Sequence, residues 1–183
     1  MRITSWNARG LNAPSKKRLL KQHLNKFNSE IIIIQETKLN LDEGSKLARS
    51  LGIWQSVYIE ARGASGGLGI LWNPKLVAVL CLEHNYNWMC VNVQSLKSDL
   101  KFILVNIYGP VCPIGKSIVW NKVNSLFTKY KNSSIVLGGD FNTIISLDEK
   151  RGGLQRLSRS SDFKSWISNQ GLIDIPLKNG TFT

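Results

Sequence analysis

The segment Ile135-Val136-Leu137-Gly138-Gly139-Asp140-Phe141-Asn142 constrains this chain most. A short apolar run marks a buried strand, and two glycines, an acid and an amide follow it. The pattern predicts a strand over 134–137 and a tight Gly-Gly-Asp turn after it. Asp140 and Asn142 then stand at the carboxyl end of a strand, where open α/β sheets bind their ligands. A carboxylate there holds a hard cation or takes a proton from water. A neighbouring amide donates to a phosphate without adding negative charge. Gly-Gly-Asp is also an ordinary turn, so the segment gains weight only from the other strand ends.

Further apolar runs predict strands over 2–6, 30–35, 55–60, 68–72, 76–82, 88–94 and 101–108. Helical spacing predicts helices over 16–27, 42–51, 117–130 and 161–169. In the first helix Leu19, Leu20, Leu24 and Phe27 share one side, the lysines lie elsewhere, and Ser15 is the expected N-cap. The segment 180–183 reads as the beginning of another strand. Strands and helices alternate at both ends, with antiparallel-looking strands between them. The expected class is therefore α/β (α+β), with mixed sheets covered by helices, not a pure βαβ repeat. With 183 residues and no repeat or linker, one domain over 1–183 is expected.

Charge narrows the partner. The chain carries 24 Lys and Arg against 12 Asp and Glu, a net +12, which favours a polyanion. No apolar run approaches the roughly 18–20 residues that span a bilayer, and no helix pairs a basic face with a broad apolar one, so a membrane partner is not expected. Cys81, Cys90 and Cys112 are odd in number and match no zinc spacing, and are read as reduced thiols of an intracellular protein.

Four strand ends carry compatible polar groups: Ser5-Trp6-Asn7, Ile34-Gln35-Glu36-Thr37, Asn106-Ile107-Tyr108-Gly109-Pro110 and Gly139-Asp140-Phe141-Asn142. Any one of them has a bland explanation, because every strand must exit into something polar. Together they suit phosphodiester hydrolysis. Glu36 and Asn7 can ligate Mg²⁺ while water fills the remaining positions. Asp140 can orient or deprotonate the attacking water. Asn142 and Tyr108 can donate to phosphate oxygens as charge builds.

On these motifs, in this order, the chain resembles the endonuclease/exonuclease/phosphatase superfamily with its deoxyribonuclease I-like fold. Within it, the chain is most similar to the apurinic-type endonuclease domain of plant LINE (non-LTR) retrotransposons. Ser65-Gly66-Gly67-Leu68-Gly69-Ile70-Leu71-Trp72, Gly171-Leu172-Ile173-Asp174 and Gly180-Thr181-Phe182-Thr183 add to that likeness. The resemblance implies a four-layer sandwich. It also implies Mg²⁺ dependence with Mn²⁺ as a substitute, DNA nicking that leaves a 3′ hydroxyl, and action in the nucleus as a monomer beside a reverse transcriptase domain. It makes Glu36 the main metal ligand with Asn7 beside it. Asp140 acts on the water, Tyr108 and Asn142 hold the phosphate, and Arg9 and Lys38 lie toward DNA. Arg9 stands where repair relatives carry an acid. The resemblance further implies that the domain continues past residue 183, with an Asp and a Ser-Asp-His motif, so that the chain as written is expected to nick weakly. The alternative is a nucleic-acid-binding remnant without catalysis.

The remaining candidates have simpler readings. His23 falls on a helix exterior and His84 in a turn after a strand. The six tryptophans mostly sit in apolar runs and suit core packing better than base stacking. Lys16-Lys17-Arg18 is a solvated helix face or a phosphate contact.

Overall fold

In a computed structural model, which describes residues 1–52, 54–63, 65–145 and 160–175, the chain divides into two compact units, Met1–Asp140 and Phe141–Thr183. The first unit holds two four-stranded sheets. One contains β1 (Ile3–Asn7), β2 (Ile31–Gln35), β3 (Gln55–Arg62) and β4 (Ser65–Trp72) in the order β1-β2-β4-β3. The other contains β5 (Val77–His84), β6 (Trp88–Ser95), β7 (Lys101–Tyr108) and β8 (Ile135–Asp140) in chain order. Each sheet has one parallel pair, β1 with β2 and β7 with β8, and is otherwise antiparallel. The parallel pairs occur where a helix supplies the crossover: α1 (Pro14–Phe27) and α3 (Pro113–Lys129). The sheets are mixed, as the sequence pattern predicts.

Four consecutive isoleucines fit β2 because both of its faces are covered. Ile31 and Ile33 point between the sheets, into a cluster with Leu68, Ile70, Val91 and Leu104. Ile32 and Ile34 point outward, against Leu20 and Leu24 of α1 and Leu47 and Ala48 of α2 (Leu41–Ser50). Each fully buried isoleucine contributes about 1.5–3 kcal/mol. On the second sheet, α3 buries Val119, Val123 and Leu126, and the Lys122 ammonium lies 5.8 Å from the centre of the Trp88 ring. Lys129 at 2.7 Å and Tyr130 at 3.1 Å both donate to Glu83 on β5. The Lys129 hydrogen bond, outweighing some desolvation, holds the Glu83 carboxyl below its ordinary range. Helix, sheet, sheet and helix give four layers.

Several boundaries differ from the sequence expectation for local reasons. Helix α1 begins at Pro14 after Ala13, and Ala13 makes no side-chain cap; Ser15 falls inside the first turn. Helix α3 likewise begins at Pro113, four residues early. Proline at the first helical position has its φ preset and lacks only an N–H that would be unpaired there anyway. Helix α2 has a capping box that the sequence carried unread: Asn40 accepts from the Glu43 N–H at 2.9 Å, and Glu43 accepts from the Asn40 N–H at 3.0 Å. His84 is the last residue of β5, not part of a turn.

The largest correction concerns the Gly-Gly-Asp turn. β8 does not stop at Leu137 but continues through both glycines to Asp140, pairing Ile107 with Gly139 and Tyr108 with Asp140. Gly139 has φ +132°, and a Cβ there would stand 2.0 Å from the Ile107 carbonyl oxygen. Only glycine lets the strand pass.

Trp72, Trp88 and Trp166 are buried and Trp6, Trp54 and Trp120 half-buried, as packing residues should be. All three cysteines are free, and burial pushes the Cys90 thiol up to about 12. No helix among the described residues is long and apolar enough to cross a membrane. The second unit contains α4 (Ser160–Asn169), where Phe163 packs on Phe141 with ring centres 5.3 Å apart and stacks on Trp166 at 5.9 Å. The strand expected over 180–183 lies outside the described residues.

Two polar side chains interrupt the apolar layer between the sheets. Gln35 donates through Nε2 to Asn106 Oδ1 at 2.6 Å. Asn106 donates through Nδ2 to the Ile34 and Gly69 carbonyls at 3.2 and 3.0 Å. Both residues are at most 1% exposed. Replacing Asn106 with leucine leaves the Gln35 amide buried without its acceptor, at a cost of about 1–3 kcal/mol. The Asn106→Leu variant should therefore unfold at lower urea, and adding Gln35→Met should recover most of the loss. A single variant within about 0.5 kcal/mol of wild type would contradict the clamp.

Candidate functional site

Strand alternation decides which side chains meet at the end of the sandwich. Ile3 and Asn7 of β1, Ile31, Ile33 and Gln35 of β2, Leu104, Asn106 and Tyr108 of β7, and Val136, Gly138 and Asp140 of β8 all fall on inward faces. Register then aligns their carboxyl ends: Asn7 lies beside Gln35, and Tyr108 beside Asp140. β1 and β8 touch across the sandwich. A Cβ on Gly138 would come within 2.6 Å of Ile33 Cδ1, so this glycine lets β8 pack closely on β2.

The result is a three-residue junction. The Asn7 amide donates to Glu36 Oε1 at 2.8 Å and to Asp140 Oδ2 at 2.5 Å. Its carbonyl oxygen accepts from the Arg9 backbone N–H at 3.0 Å. That acceptor role fixes the amide orientation, because only the NH₂ group can face two carboxylates. One neutral amide thus joins an acid from each sheet.

The loops that carry these groups are strained and held. Arg9, Glu36 and Lys38 adopt left-handed backbone at φ +46°, +50° and +54°. Each costs about 1–3 kcal/mol outside glycine and persists only where the surroundings enforce it. Backbone bonds supply the enforcement. Ala8, Gly10 and Leu11 donate to the carbonyls of Gln35, Glu36 and Thr37, at 2.9, 2.6 and 2.8 Å. Thr37 and Lys38 donate to Gly67 and Gly66, at 3.1 and 3.2 Å. A Cβ on Gly67 would collide with Thr37 Oγ1 at 2.3 Å. Lys16 donates to the Ala8 and Arg9 carbonyls at 2.6 and 2.9 Å, so its ammonium ties α1 to this loop. Tyr108 is fixed by its N–H to the Asn87 carbonyl at 2.7 Å and by Asn87 Nδ2 to its own carbonyl at 3.0 Å.

Asn7, Glu36 and Asp140 are in direct contact, with Tyr108 next to Asp140 in the ladder. Arg9 meets Asn7 through its backbone and has an exposed side chain, and Lys38 is half-buried two residues past Glu36. Asn142 belongs to the second unit and has left-handed backbone at φ +48°. His23 packs on Trp6 and Phe27, with ring centres 6.4 and 5.5 Å away. His84 lies on β5, at the opposite edge of its sheet from β8. The supporting parts Gln35, Asn106 and Gly67 had no assigned role in the sequence, and Lys16, read there as a solvated helix face or a phosphate contact, instead donates to two loop carbonyls. Gln35 and Asn106 did carry a signal: a polar residue at an inward position of an apolar strand.

Among the described residues, no group of three or more His, Cys, Asp and Glu side chains surrounds a common point. The two carboxylates offer oxygen donors, with no sulfur or imidazole of a described residue beside them, and Glu36 has no ion pair with a lysine or arginine among the described residues. Such a donor set fits a hard divalent cation that keeps several waters.

Sequence comparison identifies the chain as a member of the Endonuclease/Exonuclease/phosphatase family, whose profile matches residues 4–182. No curated protein sequence matches it. Solved structures share the fold at low identity. The endonuclease domain of TRAS1, a telomere-specific non-LTR retrotransposon, superimposes with a TM-score of 0.70 at 14% identity, covering 93% of this chain and 72% of that one. The human Nocturnin catalytic domain with bound sulfate gives 0.63 at 12%, covering 92% and 68%. The 3′ phosphatase NExo from Neisseria, bound to a product DNA hairpin, gives 0.59 at 19%, covering 81% and 60%. The two mixed sheets with flanking helices are the architecture of these deoxyribonuclease I-like relatives.

The junction makes a direct prediction about charge. Asn7→Asp replaces the shared donor with a third carboxylate and loses hydrogen bonds to charged groups worth about 1.5–3 kcal/mol. In EDTA at neutral pH the variant should melt lower than wild type. The gap should narrow in acid, where the introduced carboxyl becomes neutral. An equal melting temperature across that range would show that Asn7 does not bridge the two acids.

Proposed function

We propose that residues 1–183 belong to one divalent-metal-dependent phosphodiesterase domain that nicks DNA, of the kind carried by LINE-type retroelements. The observation that carries this reading is the Asn7 amide shared between Glu36 of one sheet and Asp140 of the other. Such a junction places two acids side by side at the carboxyl ends of parallel strand pairs.

Glu36 would hold Mg²⁺, or Mn²⁺ in its place, and Asn7 would join it by turning its amide oxygen from the Arg9 N–H toward the ion. A bound ion of this type neutralises charge on the phosphate and the leaving oxygen. Asp140 orients the attacking water and takes its proton. Tyr108, anchored by two backbone contacts to Asn87, contacts the phosphate, and Asn142 assists as an uncharged donor. Arg9 and Lys38 flank Glu36 and lie toward the DNA backbone. The net +12 charge supports DNA as the partner. A reverse transcriptase domain in the same polyprotein, a monomeric state and action in the nucleus complete the proposal, supported by the likeness to the TRAS1 endonuclease fold.

Binding without turnover is the second reading. It is favoured by the placement of both histidines away from the junction, His23 on α1 and His84 on the far edge of the second sheet.

Supercoiled plasmid incubated with the protein distinguishes the two. The proposal expects relaxed circles in Mg²⁺ and none in EDTA. Asp140→Asn and Glu36→Gln should each lower the rate by about 10²–10⁴-fold with unchanged circular dichroism. Salt-sensitive DNA binding with no nicking in Mg²⁺ or Mn²⁺ would establish the second reading instead.

A further inference from the structure

A cleft of about 390 Å³ opens within the first unit, lined by the end of β3, the start of β4 and the turn before β6. Its size is that of a small-ligand site. Its floor is Gly66-Gly67, hydrogen-bonded to Lys38 and Thr37 immediately after Glu36. Its wall includes Tyr108, the ladder partner of Asp140. The cleft therefore adjoins the backbone segments that position both acids.

The rim brings together both sheets. Arg62 ends β3 of the first sheet, and Tyr86 lies in the turn between β5 and β6 of the second. The Arg62 guanidinium lies over the Tyr86 ring, and the Tyr86 side chain is still 47% exposed. Val111, 71% exposed, adds an apolar edge. Among the described residues, the charged ones lining the cleft are Glu60 and Arg62, which cancel. A phosphate gains little in a site of zero net charge with a carboxylate in its lining. A neutral planar group gains a stacking surface from the ring and guanidinium, and Glu60 can accept from an exocyclic amine.

We infer that this cleft is a nucleobase subsite, in which Arg62 and Tyr86 stack one unpaired base of the strand whose phosphodiester lies at Glu36 and Asp140. The inference deepens the proposed nuclease reading and rests on it for the position of the phosphate. It adds a substrate preference: a strand with a base free to leave its stack, as in single strands, mismatches or easily unstacked steps, over rigid duplex. Unstacking costs least at such positions.

The test is a binding titration of the full 183-residue chain in EDTA, so that no cleavage occurs. The probes are a single-stranded oligonucleotide carrying one 2-aminopurine, the same oligonucleotide with an abasic site at that position, and the fully paired duplex. The expected result is fluorescence quenching by wild type and weaker binding of the abasic strand. Tyr86→Ala should weaken single-strand binding roughly five- to hundredfold, the range for loss of one stacked base, while changing duplex binding less than about twofold. Tyr86→Phe should keep wild-type affinity, and Arg62→Ala should repeat the Tyr86→Ala effect, with circular dichroism confirming the fold of each. Equal binding of abasic and intact strands, or a Tyr86→Ala variant that binds as wild type, overturns the inference. A parallel nicking assay separates the two levels. Nicking by wild type with no effect of Tyr86→Ala on binding rejects the subsite alone. Base-dependent binding without any nicking rejects the catalytic reading and leaves the subsite standing.

Discussion

The hydrogen bond from Gln35 to Asn106 is the contact on which the rest of this structure depends. Two sheets stacked through aliphatic side chains can slide, because hydrophobic contact has no direction. A buried amide pair does have direction. Gln35 sits on β2 of one sheet and Asn106 on β7 of the other, and Asn106 also reaches the Ile34 and Gly69 carbonyls. Displacing either strand by one residue would leave buried polar atoms unpaired at about 1–3 kcal/mol each. The clamp lies beside the rim: Glu36 follows Gln35 in the chain, and Tyr108 is two residues past Asn106 on the same face. Setting the register there sets the distance between Glu36 and Asp140.

Strain is concentrated just beyond the clamp. Arg9, Glu36 and Lys38 are left-handed, and the backbone bonds from 8–11 to 35–37 and from 37–38 to 66–67 hold them so. Three side-by-side segments thus brace one another, with Lys16 adding a tie from α1. An arrangement of this kind spends folding free energy to hold polar groups in place before any ligand arrives. That is the expected signature of a binding site, and it supports the proposed role of Glu36 and Asp140.

Much of this was legible in the sequence. The apolar run over 30–35 announced a strand, and compatible polar groups stood at the ends of four strands. The motif order carried the family. Physical context decided the rest. Nothing local in Gly138-Gly139-Asp140 distinguishes a turn from a strand; the close passage over Ile107 does, and it needs the neighbouring strand. Ser15 is a good cap by type, but Pro14 takes the first helical position one residue before it. Lys16 looked like any solvated lysine, because its acceptors, the Ala8 and Arg9 carbonyls, exist only once the loop has folded. The Arg62–Tyr86 pair was invisible for the same reason: its members come from different sheets.

The central claim is that a divalent cation held by Glu36 lies at the Asn7 junction, where the two sheets meet. Paramagnetic broadening by substoichiometric Mn²⁺ in an ¹⁵N-labelled sample tests it most directly, without depending on turnover. The account predicts that amides of both sheets fade first and together, namely Ala8 and Thr37 on one side and Gly139 on the other, and that Glu36→Gln abolishes the effect at both. Broadening confined to one sheet, or spread over surface carboxylates such as Asp42 and Glu43 and unchanged by Glu36→Gln, would contradict it.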